Sequence, residues 1–253
     1  MILHATETGQ GPPVALLHGL FGAGANLGAV ARRLDERHRV ISLDLRNHGA
    51  SPHDPDMSYP AMAGDVLETL DALGAARVAL VGHSMGGKAA MTAALLRPGA
   101  VERLVVADIA PVRYPPAFRP YAEAMAAIPL DPGLTRARAD AALAEAVPDK
   151  EVRAFLLQNM RFGDRPSWRI GLGHIAAALP GIEDWDAPPG AVYPGPALFL
   201  SGARSDYVQP GHRPAIRALF PRARFAALRD AGHWLHADQP DAFAAVVGAF
   251  LDG

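Results

Sequence analysis

Apolar positions along this chain follow two periodicities that alternate. Compact apolar runs occur at Val14–Leu17, Val40–Leu45, Val78–Val81, Arg103–Ile109, Pro196–Gly202 and Ala223–Leu228. Each has the length of a buried strand. Between them the spacing turns helical. Asn26–Glu36 opens on a good N-cap residue, and Ala61–Leu73 carries a stripe of Met62, Val66, Leu67, Leu70 and Leu73 behind Pro60. Lys88–Leu96, Arg213–Leu219 and Gln239–Leu251 read as further helices. Residues 1–13 leave room for one or two edge strands. Strands alternating with helices predict right-handed βαβ crossovers and a mostly parallel, doubly wound α/β sheet. Strands buried on both faces read as continuous apolar runs, as these do.

The alternation breaks after Pro111. Residues 112–190 show helical segments near Thr135–Ala146, Lys150–Met160 and Leu172–Leu179, with no convincing strand and frequent prolines. The expected organisation is a core of residues 1–111 and 191–253, with a helical cap of residues 112–190 covering the end of the sheet.

Composition narrows the chemistry. Half of the 253 residues are apolar, enough for a sizeable core, and the net charge is −2. Basic residues form no cluster of five or more, which argues against nucleic acid as a partner. There is no cysteine, hence no disulfide framework and no thiolate nucleophile. No apolar run reaches 18 residues, and the N-terminus lacks the basic and apolar segments of a signal peptide. The expectation is a cytoplasmic protein without a membrane span.

One turn stands out. The run Val78–Val81 leads into Gly82-His83-Ser84-Met85-Gly86, and a helix-forming stretch follows at once. Strand, sharp turn and helix with serine at the apex match the G-x-S-x-G nucleophile elbow, where the turn lifts the hydroxyl above the sheet end. Glycine is required where the turn brings flanking residues against neighbouring backbone. Read alone, the pentapeptide also fits a glycine-rich turn with an incidental serine.

A serine hydroxyl needs a base, and ten histidines are available. His233, in Asp230-Ala-Gly-His-Trp234, follows the last strand and falls at the same sheet end as Ser84. Such sites gather at the carboxyl ends of parallel strands. His18, His48 and His83 sit beside glycines at strand ends and read as structural or pocket-lining. His4, His38, His53, His174, His212 and His236 read as surface or lid residues. His233 and His236 lack the carboxylate partners of a metal pair, so no metal or other cofactor is expected. An oxyanion requires two preorganised donors. The N–H of Met85, after the serine, is one. His18-Gly19-Leu20, after the first buried strand, offers the N–H of Leu20 as the other.

The acid that orients His233 has two candidates. Asp108 ends an apolar run, where a buried carboxylate must be paired or hydrogen-bonded. Asp206 lies in the loop after Leu198–Ser201, the usual location, but one position beyond the usual spacing; Ser205 fills that slot. Asp108 is favoured, with Ser205 in support.

The motifs His18-Gly-Leu-Phe-Gly22, Asp44-Leu-Arg-Asn-His-Gly49, Met57-Ser-Tyr-Pro60, Gly82-His-Ser-Met-Gly-Gly-Lys88, Ala107-Asp-Ile-Ala-Pro111 and Ala231-Gly-His-Trp-Leu-His236 resemble the α/β-hydrolase superfamily over essentially the whole chain. Within it the chain is similar to small acyl esterases and thioesterases, a bacterial cytosolic group related to the abhydrolase-domain-containing protein eleven. The resemblance implies Ser84 as nucleophile, His233 as base, and an acid after the strand that follows the elbow, with a serine in the later loop. This chain departs by carrying Asp206 beside Ser205. Haloalkane dehalogenases and epoxide hydrolases have aspartate at the elbow, so Ser84 argues against both activities.

The expected function is hydrolysis of a small-molecule carboxylic ester or thioester. The same residues suit cleavage of carbon–carbon bonds, lactones or amides; a non-catalytic binding protein on this fold is the rival from another class. Lys88 and Arg46 are expected in structural pairs rather than on an anionic leaving group. Neither the acyl chain nor the oligomeric state is legible.

Overall fold

A computed structural model describes all residues, 1–253. In chain order the first half runs β1 (Ala5–Thr8), β2 (Pro13–Leu17), α1 (Gly28–Leu34), β3 (Arg39–Leu43), α2 (Tyr59–Ala72), β4 (Val78–His83), α3 (Met85–Leu96) and β5 (Val101–Ala107). The insertion then supplies α4 (Arg119–Ala126), α5 (Arg136–Leu143), α6 (Lys150–Leu157), β6 (Met160–Arg161), β7 (Ser167–Trp168) and α7 (Leu172–Glu183). The chain closes with β8 (Ala197–Gly202), α8 (Arg213–Leu219), β9 (Ala223–Leu228), α9 (Leu235–Asp238) and α10 (Pro240–Asp252).

Seven strands form one sheet in the order β1-β3-β2-β4-β5-β8-β9. β1 pairs antiparallel with β3, and every other pair is parallel. The pattern of apolar runs explains the burial. Along each central strand, alternate residues enter different cores: Ala15, Leu17, Leu80, Leu104 and Val106 on one face, Val14, Leu16, Val81, Val105 and Leu200 on the other. The second face is closed by α1 and α10 through Val30, Leu34, Phe243 and Val247. The first packs under α2, α3 and the insertion, whose Met125, Leu156 and Ile175 join the same apolar cluster. Both faces are therefore dry, as a parallel sheet requires.

Register decides where the loops gather. Leu17 pairs with Leu43 and Gly82, His83 with Ala107, Ala107 with Leu200, and Gly202 with Leu228. The strands thus stop at one common edge, and six loops emerge from it together.

Several expectations need correction. α4 and the two-residue hairpin β6–β7 lie in the insertion where neither was expected. Arg119-Pro120 sits between prolines, but proline is tolerated in a first helical turn, which is where Pro120 stands. α7 runs on through Pro180 to Glu183 instead of stopping at Leu179. Asn26 does not start α1; its side chain accepts the Ala23 N–H in a short 3-10 turn, and α1 begins at Gly28. β5 ends at Ala107, so Asp108 and Ile109 belong to the loop. His38 and His236 are buried, not surface or lid residues, at 5% and 8% exposure.

Candidate active site

Ser84 stands between β4 and α3 with φ 52° and ψ −119°, a backbone state that side chains seldom adopt. It is held by its N–H donating to Ala107 O at 3.0 Å and by its carbonyl accepting the Lys88 N–H at 3.0 Å. The flanking glycines are forced by space: a Cβ at Gly82 would lie 2.3 Å from Gly86 O, and one at Gly86 2.5 Å from the Leu17 and His18 carbonyls. The expected turn is present, and its cause is the close approach of α3 to β2 and β4.

His233 reaches this turn from the loop after β9. Its Nε2 is 3.1 Å from Ser84 Oγ, and its Nδ1 is 2.8 Å from Asp108 Oδ2. Asp108 is wholly buried and sits at φ 52°, like Ser84. Its Oδ1 accepts the Gly202 N–H at 3.1 Å, and its Oδ2 also accepts the Ser205 hydroxyl. A buried carboxylate so surrounded accepts three hydrogen bonds, which offset its desolvation. Asp206 is exposed and accepts from Gln209 Nε2 at 3.3 Å instead. The structure thus brings Ser84, His233, Asp108 and Ser205 together and leaves Asp206 facing solvent.

The loop after β2 is clamped from two sides. His18 donates from Nδ1 to Gly19 O and accepts the Leu45 N–H at Nε2. His48 donates to Arg46 O and accepts the Phe21 N–H at 3.1 Å. Asn159, from the insertion, donates to Phe21 O at 2.8 Å. Phe21 is thereby fixed at φ 60°. The neighbouring Leu20 N–H donates to no protein acceptor, and the Met85 N–H is the first of the four amides that a helix start leaves unpaired. Leu20, Ser84 and Met85 line one common cavity, where two unpaired amides are able to donate to developing negative charge.

The remaining histidines stack behind the base. His83 donates from Nε2 to the His233 carbonyl at 2.8 Å, and its ring meets His236 edge-on at 4.5 Å. His236 Nδ1 has no partner. Burial keeps these rings neutral: His18 and His83 are pulled below the usual histidine range, His48 to about 3 and His236 to about 4. The chemistry is that of neutral imidazoles used as fixed donors and acceptors.

Two further residues carry no signal in the sequence, and a third departs from its expected role. Tyr207 lies flat on the His233 ring at 3.9 Å and 20°, a contact that nothing in the local pattern signals. Asn159 sits at the end of α6, where an isolated asparagine reads as a helix stop. Lys88 was expected in a structural pair, but its partners are carbonyls: it donates to Ile182, Glu183 and Asp184 O at 3.2, 3.2 and 3.0 Å, capping α7. Burial draws its ammonium down to about 8, against the pull of Asp184 and Glu183. Arg46 pairs with buried Asp65 at 2.6 Å, as expected.

Two cavities open onto Ser84. One, of about 400 Å³, includes His233, Trp234 and Phe155; the other, of about 310 Å³, includes Met85, Lys88 and Tyr114. No helix is long and apolar enough to cross a membrane.

A family model for the alpha/beta hydrolase fold matches residues 12–240. The chain is 43% identical to the sn-1-specific diacylglycerol lipase ABHD11 of Mus musculus over 95% of this chain and 81% of that protein. It is 40% identical to the esterase YbfF of Escherichia coli (strain K12), covering 95% and 93%. A solved marine microorganism esterase superposes with a TM-score of 0.94 at 35% identity, over 98% of this chain and 99% of that one. These likenesses, together with the strand-end site, make the protein a hydrolytic enzyme. The chain belongs to the α/β-hydrolase family, in an esterase group that includes ABHD11 and YbfF.

Proposed function

We propose that the protein hydrolyses carboxylic esters or thioesters of small to medium acyl groups through an acyl-enzyme on Ser84. The observation that carries this reading is the unbroken contact from Ser84 Oγ through both nitrogens of His233 to Asp108, at 3.1 and 2.8 Å. His233 Nε2 takes the Ser84 proton as the hydroxyl attacks the acyl carbon, and returns it to the departing alcohol or thiol. Asp108 holds the Nδ1–H tautomer and faces the positive charge that the ring acquires. The amides of Leu20 and Met85 bind the oxyanion. Water, activated by the same imidazole, then releases the acid. Ser205, by donating to Asp108, keeps that carboxylate aimed at His233.

Esterase and lipase relatives support the choice of substrate bond. The diacylglycerol named for ABHD11 is one candidate among neutral esters. Purified protein should hydrolyse short p-nitrophenyl esters without added metal and should react once with a fluorophosphonate probe. Ser84→Ala should lose both, with kcat falling about 10⁴-fold or more. Full esterase activity in that variant would end the proposal.

A further inference from the structure

The two cavities at Ser84 share the serine, Leu20, Phe118 and Tyr207, but not their other walls. His233 borders only the larger cavity, labelled outer; Met85 and Lys88 border only the smaller, labelled inner for its place against α3. Chemistry assigns them different tasks. In the tetrahedral intermediate the acyl carbon is bonded to Ser84 Oγ, the oxyanion, the leaving oxygen or sulfur, and the acyl chain. The leaving atom must come within hydrogen-bond reach of His233 Nε2, because that nitrogen delivers its proton. It therefore projects into the outer cavity. The acyl chain takes the remaining direction, past Met85.

We propose that the inner cavity is the acyl-chain site, that it selects an aliphatic acyl group, and that the outer cavity receives the alcohol or thiol. This rests on the serine-hydrolase reading given above. The selection follows from how the polar groups on the inner wall are used. Lys88 directs all three ammonium protons at the carbonyls of residues 182–184. Tyr59 donates to Ile182 O at 2.7 Å and Tyr114 to Tyr207 O at 2.6 Å. The Glu183 carboxylate accepts the Ala117 and Phe118 amides at 2.6 and 2.9 Å. Lys88, Tyr59 and Tyr114 therefore offer no free donor to a hydroxyl or an ω-carboxylate on the acyl chain. The Tyr207 hydroxyl, on the wall shared with the other cavity, is the one side-chain donor without a protein partner, and burying a polar group beyond its reach is costly. What remains for an incoming chain is apolar at Leu20, Met85, Ile109, Phe118 and Ile182, and the Asp206 carboxylate, which also borders this cavity, repels an ω-carboxylate. The outer cavity is walled differently, by the paired rings of Phe155 and Trp234 at 5.3 Å and by Tyr121.

The test fills each cavity separately from a wall position at or near the surface. Ala117 is exposed and borders only the inner cavity; Val152 is half-buried and borders only the outer one. Ala117→Trp and Val152→Trp are compared with the parent on two substrate series, p-nitrophenyl esters from acetyl to decanoyl and acetate esters of alcohols of increasing bulk. Ala117→Trp should lower kcat/KM for the long acyl chains relative to acetyl by about 10-fold or more, and leave the ranking of alcohols in place. Val152→Trp should do the converse. In the parent, a succinyl half-ester should react at least about 10-fold more slowly than the butyryl ester. A reversed pattern, a flat acyl profile in Ala117→Trp, or equal rates for the succinyl and butyryl esters overturns the assignment. Ala117→Phe, a smaller plug, carries the same test if the tryptophan variant does not fold. Ser84→Ala is run alongside: hydrolysis that survives it removes the serine-hydrolase reading, whereas reversed profiles on Ser84-dependent activity remove only the division between cavities.

Discussion

Five residues other than glycine hold a positive φ: Phe21, Asn47, Ser84, Asp108 and Asp230. All five lie in loops that leave the carboxyl edge of the sheet, and none lies in the insertion, where Gly133, Gly163 and Gly190 take that role. The contrast is physical. Conformations costing of order 1–3 kcal/mol each persist only where surrounding structure over-determines them. The strand-end loops have that support, because parallel strands in register bring six of them together over a dry core. The insertion is a set of short helices that share the apolar cluster on one face of the sheet, with polar contacts to the core from Lys88 to the end of α7 and from Asn159 to Phe21. The over-determined loops are suited to holding reacting groups, and the insertion, which lines the cavities at Ser84, to shaping what reaches them.

The sharpest way to break this comparison is at the acid. Asp108 belongs to the strained set; Asp206, next to Ser205 in the loop after β8, is exposed and has no positive φ. Asp108→Asn should lower kcat about 10⁴-fold by presenting the wrong hydrogen-bond partner to His233 Nδ1. Asp206→Asn should stay within about twofold of the parent, as surface substitutions do. Steady-state kinetics on one p-nitrophenyl ester decides it; a larger loss at Asp206 would move the acid to the unstrained loop.

The same contrast sets what was legible in the residues. Ser84, Gly82 and Gly86 announce themselves because a turn this tight admits few residue types, and the apolar runs at 78–81 and 103–109 announce the strands around it. Asp108 was visible as a lone charge in an apolar run. The preference for it over Asp206 came from spacing, while the partners that surround it, Gly202 and Ser205, come from chain segments more than ninety residues away. Tyr207, Asn159 and the burial of His236 were invisible for that reason: each depends on which distant loop it meets. In the insertion, helix ends were misplaced because prolines inside first turns and within α7 read as breaks.

Acidification should sharpen the comparison next. The buried neutral histidines His18, His48, His83 and His236 all belong to the core, while the insertion's single histidine, His174, is exposed. Their folded pKa values lie below the unfolded value of 6.5, at about 3 for His48 and about 4 for His236. Below pH 6.5 the unfolded chain binds protons that the native core refuses. The stability these rings contribute is complete above 6.5 and falls as pH drops toward their folded values, by about 1.4 kcal/mol per pH unit for each ring still neutral in the native state. Melting temperature followed from pH 7 to 4.5 should fall steeply, and His236→Leu should flatten the curve. A melting temperature independent of pH over that range would contradict the assignment of neutral rings to the native core.

The smallest expected effect tests the junction between the two regions. Asn159 is an insertion residue whose side-chain amide holds Phe21 O, while His48 holds the Phe21 N–H from the core. The Leu20 amide adjoins that clamped residue, so its direction depends on a bond contributed by the insertion. Asn159→Leu preserves approximate volume and removes the donor. Losing one such bond costs about 1.4 kcal/mol, equivalent to about tenfold in rate if it is felt in the transition state. Because an oxyanion amide acts on charge that develops only during reaction, the loss should fall on kcat and leave KM nearly unchanged. The alternative is that Asn159 merely packs the insertion against the core. Then KM would rise with cavity disorder while kcat held, and the insertion would shape access alone, with no share in positioning the reacting groups.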